Sequence, residues 1–202
     1  MSRQARKPGR WRALALAGAL AAAAAVSAHA AAPRIDPRAS EPLAAVTTDH
    51  APGSCHVRHA ANGMQLPDPA CTPGAVNPTV TAEVLRNPAF RTGQERDLAT
   101  SAAMKRRVYA WYGLTPPAKN RGPDQVCELD HLISIGLGGA DTLDNIWPQC
   151  GPANVPVGQR EFKLKDAVAE LSLMREIKAG ADLRSVQARI AADWTQFLEP
   201  PH

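Results

Sequence analysis

The segment from Cys127 to Cys150 constrains the fold more than any other part of the chain. Two runs that suit β-strands, 126–135 and 145–150, flank the glycine-rich sequence 136–139. Strand-like runs on either side of such a turn are typical of an antiparallel hairpin. The glycines let the chain reverse sharply and keep side chains out of the turn. The sequence therefore predicts a β-hairpin with a cysteine at each open end.

The cysteine count agrees with this hairpin. The chain has four cysteines, which are Cys55, Cys71, Cys127 and Cys150. An even number suits disulfides in an oxidising compartment, and four cysteines allow three pairings. The simplest pairing joins the first two and the last two, and it sets Asp130 opposite the neighbourhood of Trp147. A zinc site formed by Cys55, His56 and His59 is the alternative, although the paired C-x-x-C form of zinc sites is missing.

The N-terminus has the pattern of an export signal. Five basic residues precede an apolar run from Ala13 to Val26, and Ser27-Ala28-His29-Ala30 follows. This order predicts a cleavable signal peptide over residues 1–30 with the cut after Ala30. The apolar run has about 14 residues, fewer than the about 20 of a spanning helix, so an uncleaved anchor is the weaker alternative. We expect a periplasmic or secreted protein with no membrane span once the leader is removed.

The net charge does not identify a partner. The formal charge of +4 arises in the leader, because residues 1–30 hold five basic residues and no acid. The rest of the chain has 18 basic and 19 acidic residues, a net charge of −1. A strongly basic mature protein is excluded, so any binding of a polyanion depends on a local group of cations.

The first half of the mature chain is rich in proline. Residues 31–53 lack periodicity and predict a flexible tether. Residues 54–124 form a proline-rich segment with many turns. Within it, apolar residues at helical spacing predict a helix at about 101–112, and a short helix is expected in 79–90.

The second half predicts a domain over residues 125–198. Apolar stripes at helical spacing predict a helix over about 159–178 and a last helix over about 182–198. A hairpin followed by helices, after a loop-rich N-terminal part, gives an α+β fold.

The hairpin carries residues that suit hydrolysis. Asp130 and His131 are adjacent on the first strand, and Asn145 opens the second. A neutral histidine can accept a proton from water near pH 7. A neighbouring carboxylate can hold a hard divalent cation, which stabilises charge on a phosphodiester as it is cut. The asparagine amide can fix the orientation of the imidazole ring.

The segment 127–150, with its Asp-His pair, Gly-Gly turn and Asn-Ile pair, resembles the HNH endonucleases and their ββα-metal motif. More closely, the chain resembles a group of small exported bacterial HNH-like proteins. The shared features are a Thr-Pro-Gly-Ala-x-Asn-Pro segment (72–78), a Lys-Asp pair (165–166) with an acid four residues later, and a final helix (187–194). The likeness covers about residues 66–198.

The resemblance implies a role for each motif residue. His131 is expected to be the general base, Asp130 a metal ligand, and Asn145 the residue that orients His131. The family's usual helical histidine or asparagine has no clear match. Asp166 and Glu170 lie one turn apart on the following helix, so we expect them to complete the site for one divalent ion. Oxygen ligands favour Mg²⁺, with Mn²⁺ and Zn²⁺ as the alternatives.

Three cations near the motif, Arg160, Lys163 and Lys165, are expected to bind phosphate. The expected function is an exported, metal-dependent HNH-type endonuclease acting on DNA or RNA without sequence preference. The alternative is a non-catalytic exported binding module on the same scaffold, which the incomplete third motif position favours. Under that alternative Asp130 and His131 form a structural pair, and Asp166 and Glu170 belong to a solvated helix face.

Overall fold

The computed structural model describes residues 34–45, 47–99 and 102–198. The predicted signal peptide, residues 1–30, lies outside the described residues. In the described ranges no helix has the length and apolar character needed to cross a membrane. Short strand pairs and several helices make the described chain a mixed α+β structure, as expected.

The strands form antiparallel pairs. Within the described residues the strands are β1 (Glu41–Pro42), β2 (Arg58–His59), β3 (Gln65–Leu66), β4 (Ala75–Val76), β5 (Cys127–His131) and β6 (Ile146–Cys150). The pairs are β1 with β4, β2 with β3, and β5 with β6. The last pair is the longest and carries the predicted site residues.

The β5–β6 pair has the predicted register. Cys127 lies opposite Cys150, and Asp130 lies opposite Trp147. Strand β5 ends at His131, four residues earlier than the predicted strand, because the chain enters a 3₁₀ turn at Ile135–Leu137. Only glycine fits at the end of this turn, since a Cβ on Gly139 would collide with the carbonyl oxygen of Ile133.

Both disulfides follow the simplest pairing. Cys127 is bonded to Cys150 across the open end of the hairpin, and Cys55 is bonded to Cys71. His50 lies close to the second pair, but both sulfur atoms there are bonded to each other. Cys55 is therefore not a free thiolate, so it cannot act as the thiolate ligand of the alternative zinc site with His56 and His59.

The helices agree with the predicted ranges. They are α1 (Ala82–Arg86), α2 (Ala102–Trp111), α3 (Glu161–Leu164), α4 (Leu171–Lys178) and α5 (Leu183–Ala192). A π-helical turn, Lys165–Glu170, joins α3 to α4, so helical backbone continues over 161–178. A 3₁₀ turn, Trp194–Phe197, follows α5. The π turn is the departure from the predicted regular helix.

Two apolar clusters hold the hairpin in place. Ile133, just after β5, belongs to a cluster with Leu173 of α4 and Ile190 of α5. Trp147 of β6 belongs to a second cluster with Trp111 of α2 and the Cys55–Cys71 pair. The hairpin and its connection are therefore anchored by the C-terminal helices and by the proline-rich segment.

The predicted tether, residues 31–53, lies against the domain in its described part. β1 pairs with β4, and the carbonyl oxygen of Asp36 accepts a hydrogen bond from the Asn77 side chain. The Gly53 amide donates to the Ala110 carbonyl. These partners are distant in sequence, so a composition rich in alanine and proline gave no sign of them.

Candidate functional site

A polar cleft of about 420 Å³ opens beside β5. It brings together four of the predicted site residues, Asp130 and His131 from the hairpin with Asp166 and Glu170 from the π turn. Its other polar lining residues include Glu128, Arg96, Thr92 and Ser134. The hairpin and the following helical segment thus line one cleft.

Three carboxylates meet at the base of the cleft. Asp130, Asp166 and Glu170 each present an oxygen atom, and these atoms all lie within 4.8 Å of one another. Burial raises the pKa of Asp130 to about 7, and Lys165 opposes that rise. Burial also raises the pKa of Asp166. Oxygen donors this close together have the chemistry that a hard divalent cation prefers.

Lys165 lies inside this carboxylate group and does not reach solvent. Its Nζ is 3.0 Å from Asp130 Oδ2 and 3.0 Å from Glu170 Oε1, and it donates to the carbonyl oxygen of His131 at 2.8 Å. Burial disfavours its charge, but the two carboxylates outweigh burial and raise the pKa of Lys165 above its usual range. The expected phosphate-binding role does not fit, because Lys165 is fully buried and its charge is already paired.

The π turn explains this pairing. In an α-helix the neighbours on one face are three or four residues apart. Lys165 and Glu170 are five apart, and both lie in the π turn, where backbone hydrogen bonds join residues five apart. The Lys165–Glu170 pair therefore depends on the local change in helical pitch, while Asp130 is supplied by β5.

Arg160 also differs from its expected role. Only 3% of it is exposed, and its guanidinium donates to the backbone carbonyls of Val155, Gln125 and Ala153. These bonds tie the loop before α3 to Gln125, two residues before β5. Arg160 is a structural cross-link here and presents no surface to a phosphate group.

Lys163 is the one predicted phosphate-binding residue that keeps some exposure. Its Nζ lies 2.8 Å from Glu128 Oε2 and 3.1 Å from Asp166 Oδ2. Burial disfavours its charge, but hydrogen bonds to these two carboxylates raise the pKa of Lys163. Because its ammonium group is already paired with these two carboxylates, Lys163 has little charge available to bind a substrate phosphate.

His131 is held by a residue that the sequence did not reveal. Its Nε2 lies 2.8 Å from Asp141 Oδ1, and Lys105 Nζ lies 2.6 Å from the same oxygen. Burial alone would raise the pKa of Asp141, but the hydrogen bonds from His131 and Lys105 lower it to about 2. Asp141 is therefore an acceptor, and His131 Nε2 carries the hydrogen.

The other imidazole nitrogen is available for chemistry. Burial lowers the pKa of His131, so the ring is neutral near pH 7. With a hydrogen on Nε2, the unshared electron pair is on Nδ1. Nδ1 makes no hydrogen bond to any residue in the described ranges, and His131 lines the cleft. A neutral base nitrogen and a carboxylate cluster thus share one cavity.

Asn145 forms hydrogen bonds to the backbone and none to the His131 imidazole. It is fully buried, its Oδ1 accepts from the Ile133 amide at 2.9 Å, and its Nδ2 donates to the carbonyls of Ile133 and Ala140. The expected direct orientation of His131 is therefore replaced by an indirect one. Asn145 fixes the connection that leaves β5 two residues after His131.

Sequence reasoning missed Asp141 and Lys105. It placed Trp147 opposite Asp130 but did not predict that Trp147 Nε1 donates to Asp130 Oδ2, at 3.2 Å. Asp141 is ten residues after His131, in the connection between the predicted strands. A hairpin connection that returns toward its own first strand was the one available signal. Lys105 is 36 residues away from Asp141 on another element, and no spacing in the sequence indicates their contact.

The site joins a neutral imidazole that has a free nitrogen with three carboxylates that could hold a cation. Such an arrangement can accept a proton from water and stabilise negative charge in one cavity. Comparison with protein-family models, with curated proteins and with solved structures gives no match for this chain.

Proposed function

We propose that this protein is an exported, metal-dependent endonuclease of the HNH type that hydrolyses phosphodiester bonds of DNA or RNA. The observation that carries the proposal is the meeting of His131 with Asp130, Asp166 and Glu170 in one cleft. An antiparallel strand pair followed by a helix that supplies carboxylates supports a ββα-metal arrangement, which the sequence resemblance implies.

In this proposal His131 is the general base. Water attacks phosphorus, and His131 Nδ1 takes the proton while the bond from phosphorus to the leaving oxygen breaks. The ring becomes positively charged in that step. Asp141, 2.8 Å from Nε2, stabilises the imidazolium and keeps the hydrogen on Nε2 beforehand.

The carboxylate group is the proposed metal site. Asp130, Asp166 and Glu170 would hold one divalent ion, with Mg²⁺ the best fit to an all-oxygen donor set and Mn²⁺ or Zn²⁺ as alternatives. Such an ion supplies electrostatic stabilisation of the charge on the phosphate and the leaving oxygen. The Trp147 indole orients Asp130 through a hydrogen bond. Lys165 bridges Asp130 and Glu170 because its ammonium group pairs with both carboxylates.

Two disulfides support the exported part of the proposal. Disulfides persist in the periplasm and outside the cell and are rare in a reducing cytosol. Cys55–Cys71 and Cys127–Cys150 are both buried or nearly so. Together with the predicted cut after Ala30, they favour a periplasmic or secreted protein.

A second candidate, a non-catalytic exported binding module, is favoured by Lys165. Its ammonium group already pairs with two of the three carboxylates, so the cluster has a counter-ion of its own. A scaffold that has lost its metal could be stabilised in this way. Under this candidate the cleft binds no divalent ion.

Cleavage assays separate the two candidates. The exported, disulfide-bonded protein is incubated with plasmid DNA and with RNA in Mg²⁺, Mn²⁺ or EDTA, beside His131→Ala. The matched control is His59→Ala, an exposed histidine of β2. We expect metal-dependent cutting that His131→Ala reduces by about 10²-fold or more and His59→Ala leaves unchanged. No cutting by the folded wild-type protein with either metal would favour the binding module.

A further inference from the structure

The cleft has no excess of positive charge for a polyanion. Four carboxylates line it, Glu128, Asp130, Asp166 and Glu170, against three cations: Lys163 and Lys165, which pair with these same carboxylates, and Arg96. Nucleic acid is bound chiefly through cations that neutralise its phosphates. The affinity of a nuclease built on this cleft therefore has to come from neighbouring surface.

Such a surface begins at the edge of the cleft. Glu128 and Leu129 line both the cleft and a second depression of about 390 Å³ beside Tyr109. Arg106 and Asn120 line both this depression and a third of about 510 Å³. Adjacent depressions share lining residues, so the three lie side by side on one surface. We call this surface, from Glu128 to Arg121, the basic trough.

The basic trough carries positive charge at its far end. Arg106, Lys119 and Arg121 line it there with a single acid, Asp124. All three cations are exposed. Neither Lys119 nor Arg121 forms an ion pair with another residue of the described ranges. Lys119 and Arg121 therefore supply positive charge that no carboxylate of the described residues neutralises.

The side chain of Asn120, which lines two of the depressions, is held by the backbone. Asn120 Oδ1 accepts from the amides of Val126 and Cys127, and its Nδ2 donates to the Cys127 carbonyl. The neighbouring Pro116 and Pro117 offer no side-chain donor or acceptor. Contacts from long cationic side chains to phosphates position a strand without selecting its sequence.

We propose that the basic trough binds the sugar-phosphate backbone of a nucleic acid strand that leads out of the cleft, with Lys119 and Arg121 as phosphate-binding residues. The inference rests on the proposed function, because the strand is the substrate of the cleft. It adds a binding surface formed by the segment between α2 and β5, which none of the expected phosphate-binding residues belongs to.

The proposal is tested by measuring DNA binding in EDTA, where metal-dependent cleavage does not occur. A short, fluorescein-labelled single-stranded DNA of mixed sequence is titrated with the exported protein in EDTA at several KCl concentrations. The test variant is Lys119→Ala/Arg121→Ala. The control is Arg175→Ala/Lys178→Ala, which removes the same charge from exposed positions of α4 outside the trough. Equal thermal midpoints for all three proteins establish that folding is unchanged.

The salt dependence gives the decisive readout. Each lost phosphate contact lowers the slope of log K against log salt by about 0.7 for a single strand, so the test variant should lose about twice that and bind more weakly. The control should keep the wild-type slope. Three results would contradict the proposed role of the basic trough. They are an equal loss of slope in both variants, an unchanged slope in the test variant, and no binding by the wild-type protein.

The outcome is separate from that of the cleavage assay. If the protein cuts DNA but binds it equally well without Lys119 and Arg121, the nuclease proposal stands and the proposed role of the basic trough is wrong. If the protein binds DNA through these two residues but does not cut it, the proposed role of the basic trough stands and the nuclease proposal is wrong.

Discussion

Oδ1 of Asp141 lies 2.8 Å from Nε2 of His131 and 2.6 Å from Nζ of Lys105. One carboxylate oxygen thus faces the imidazole and a lysine, while the other accepts from the Asp97 amide. Asp141 is 2% exposed, so these interactions are formed away from solvent. The hydrogen on His131 Nε2 follows from this contact, which leaves the unshared electron pair on Nδ1.

The first prediction concerns this contact. Asp141→Asn removes the negative charge that fixes the tautomer and stabilises the protonated ring. We expect the cleavage rate constant to fall by about 10²-fold or more while KM changes little. Nitrogen NMR of the His131 ring gives an independent check, since the wild-type ring should carry its hydrogen on Nε2. Asp49→Asn, an exposed aspartate, serves as the control. A wild-type ring with its hydrogen on Nδ1 would contradict the assignment.

The second prediction concerns the buried lysine. Lys165→Met leaves Asp130 and Glu170 without their counter-ion in a buried place. Breaking a buried ion pair on one side costs about 3–5 kcal/mol of unfolding free energy. Urea unfolding measured in EDTA and in Mg²⁺ should show this loss, and Mg²⁺ should restore more stability to the variant than to the wild-type protein.

The control for this change is Lys163→Met, whose partly exposed ion pairs contribute about 1 kcal/mol or less. Equal stability of Lys165→Met and the wild-type protein in EDTA would show that the carboxylates do not need a cation. The same result would weaken the proposed metal site, because close carboxylates that tolerate the loss of Lys165 have little repulsion for Mg²⁺ to relieve.

The hairpin and the residues on it were predictable because their determinants are local. Asp130 and His131 are neighbours in the chain, and the cysteine pair with the glycine turn sets the register that the structure shows. Asp166 and Glu170 follow from helical spacing alone. These parts of the candidate site depend on contacts that a sequence displays directly.

The remaining parts depend on burial and on distant contacts. Lys165 and Arg160 look like surface cations in the sequence, but the structure buries both against acceptors up to 35 residues away. Whether a long cationic side chain is buried is decided by what packs over it. The π turn that pairs Lys165 with Glu170 has no signal in the residue pattern either, since its residues suit a regular α-helix equally well.

The third prediction concerns Glu95, a carboxylic acid outside the proposed mechanism. Its side chain is 1% exposed, and neither oxygen has a hydrogen-bond partner in the described residues. Burial raises the pKa of Glu95 from 4.5 to about 8, with Arg96 opposing the rise. The folded protein therefore keeps this proton in a pH range where the unfolded chain has lost it.

The sign of the effect follows from proton binding. Between pH 4.5 and about 8 the folded state binds more protons at Glu95, so unfolding free energy falls as pH rises, by about 1.4 kcal/mol per pH unit. Urea unfolding across this range should show a flatter pH dependence in Glu95→Gln than in the wild-type protein. Glu83→Gln, an exposed glutamate of α1, should keep the wild-type dependence. Identical curves for all three proteins would contradict the raised pKa.

The last prediction concerns the disulfide of the hairpin. Cys127 and Cys150 are 23 residues apart, so replacing both with serine frees a loop whose closure is worth about 3 kcal/mol of unfolding free energy. The Cys55→Ser/Cys71→Ser variant frees a loop of 16 residues and should lose a similar amount. The two variants should differ in activity, because only Cys127→Ser/Cys150→Ser releases the open end of the strand pair that carries Asp130 and His131.

Cleavage measured well below both thermal midpoints should therefore fall more in Cys127→Ser/Cys150→Ser than in Cys55→Ser/Cys71→Ser. Equal activity at equal folded fraction would mean that the two apolar clusters hold the hairpin without its covalent closure.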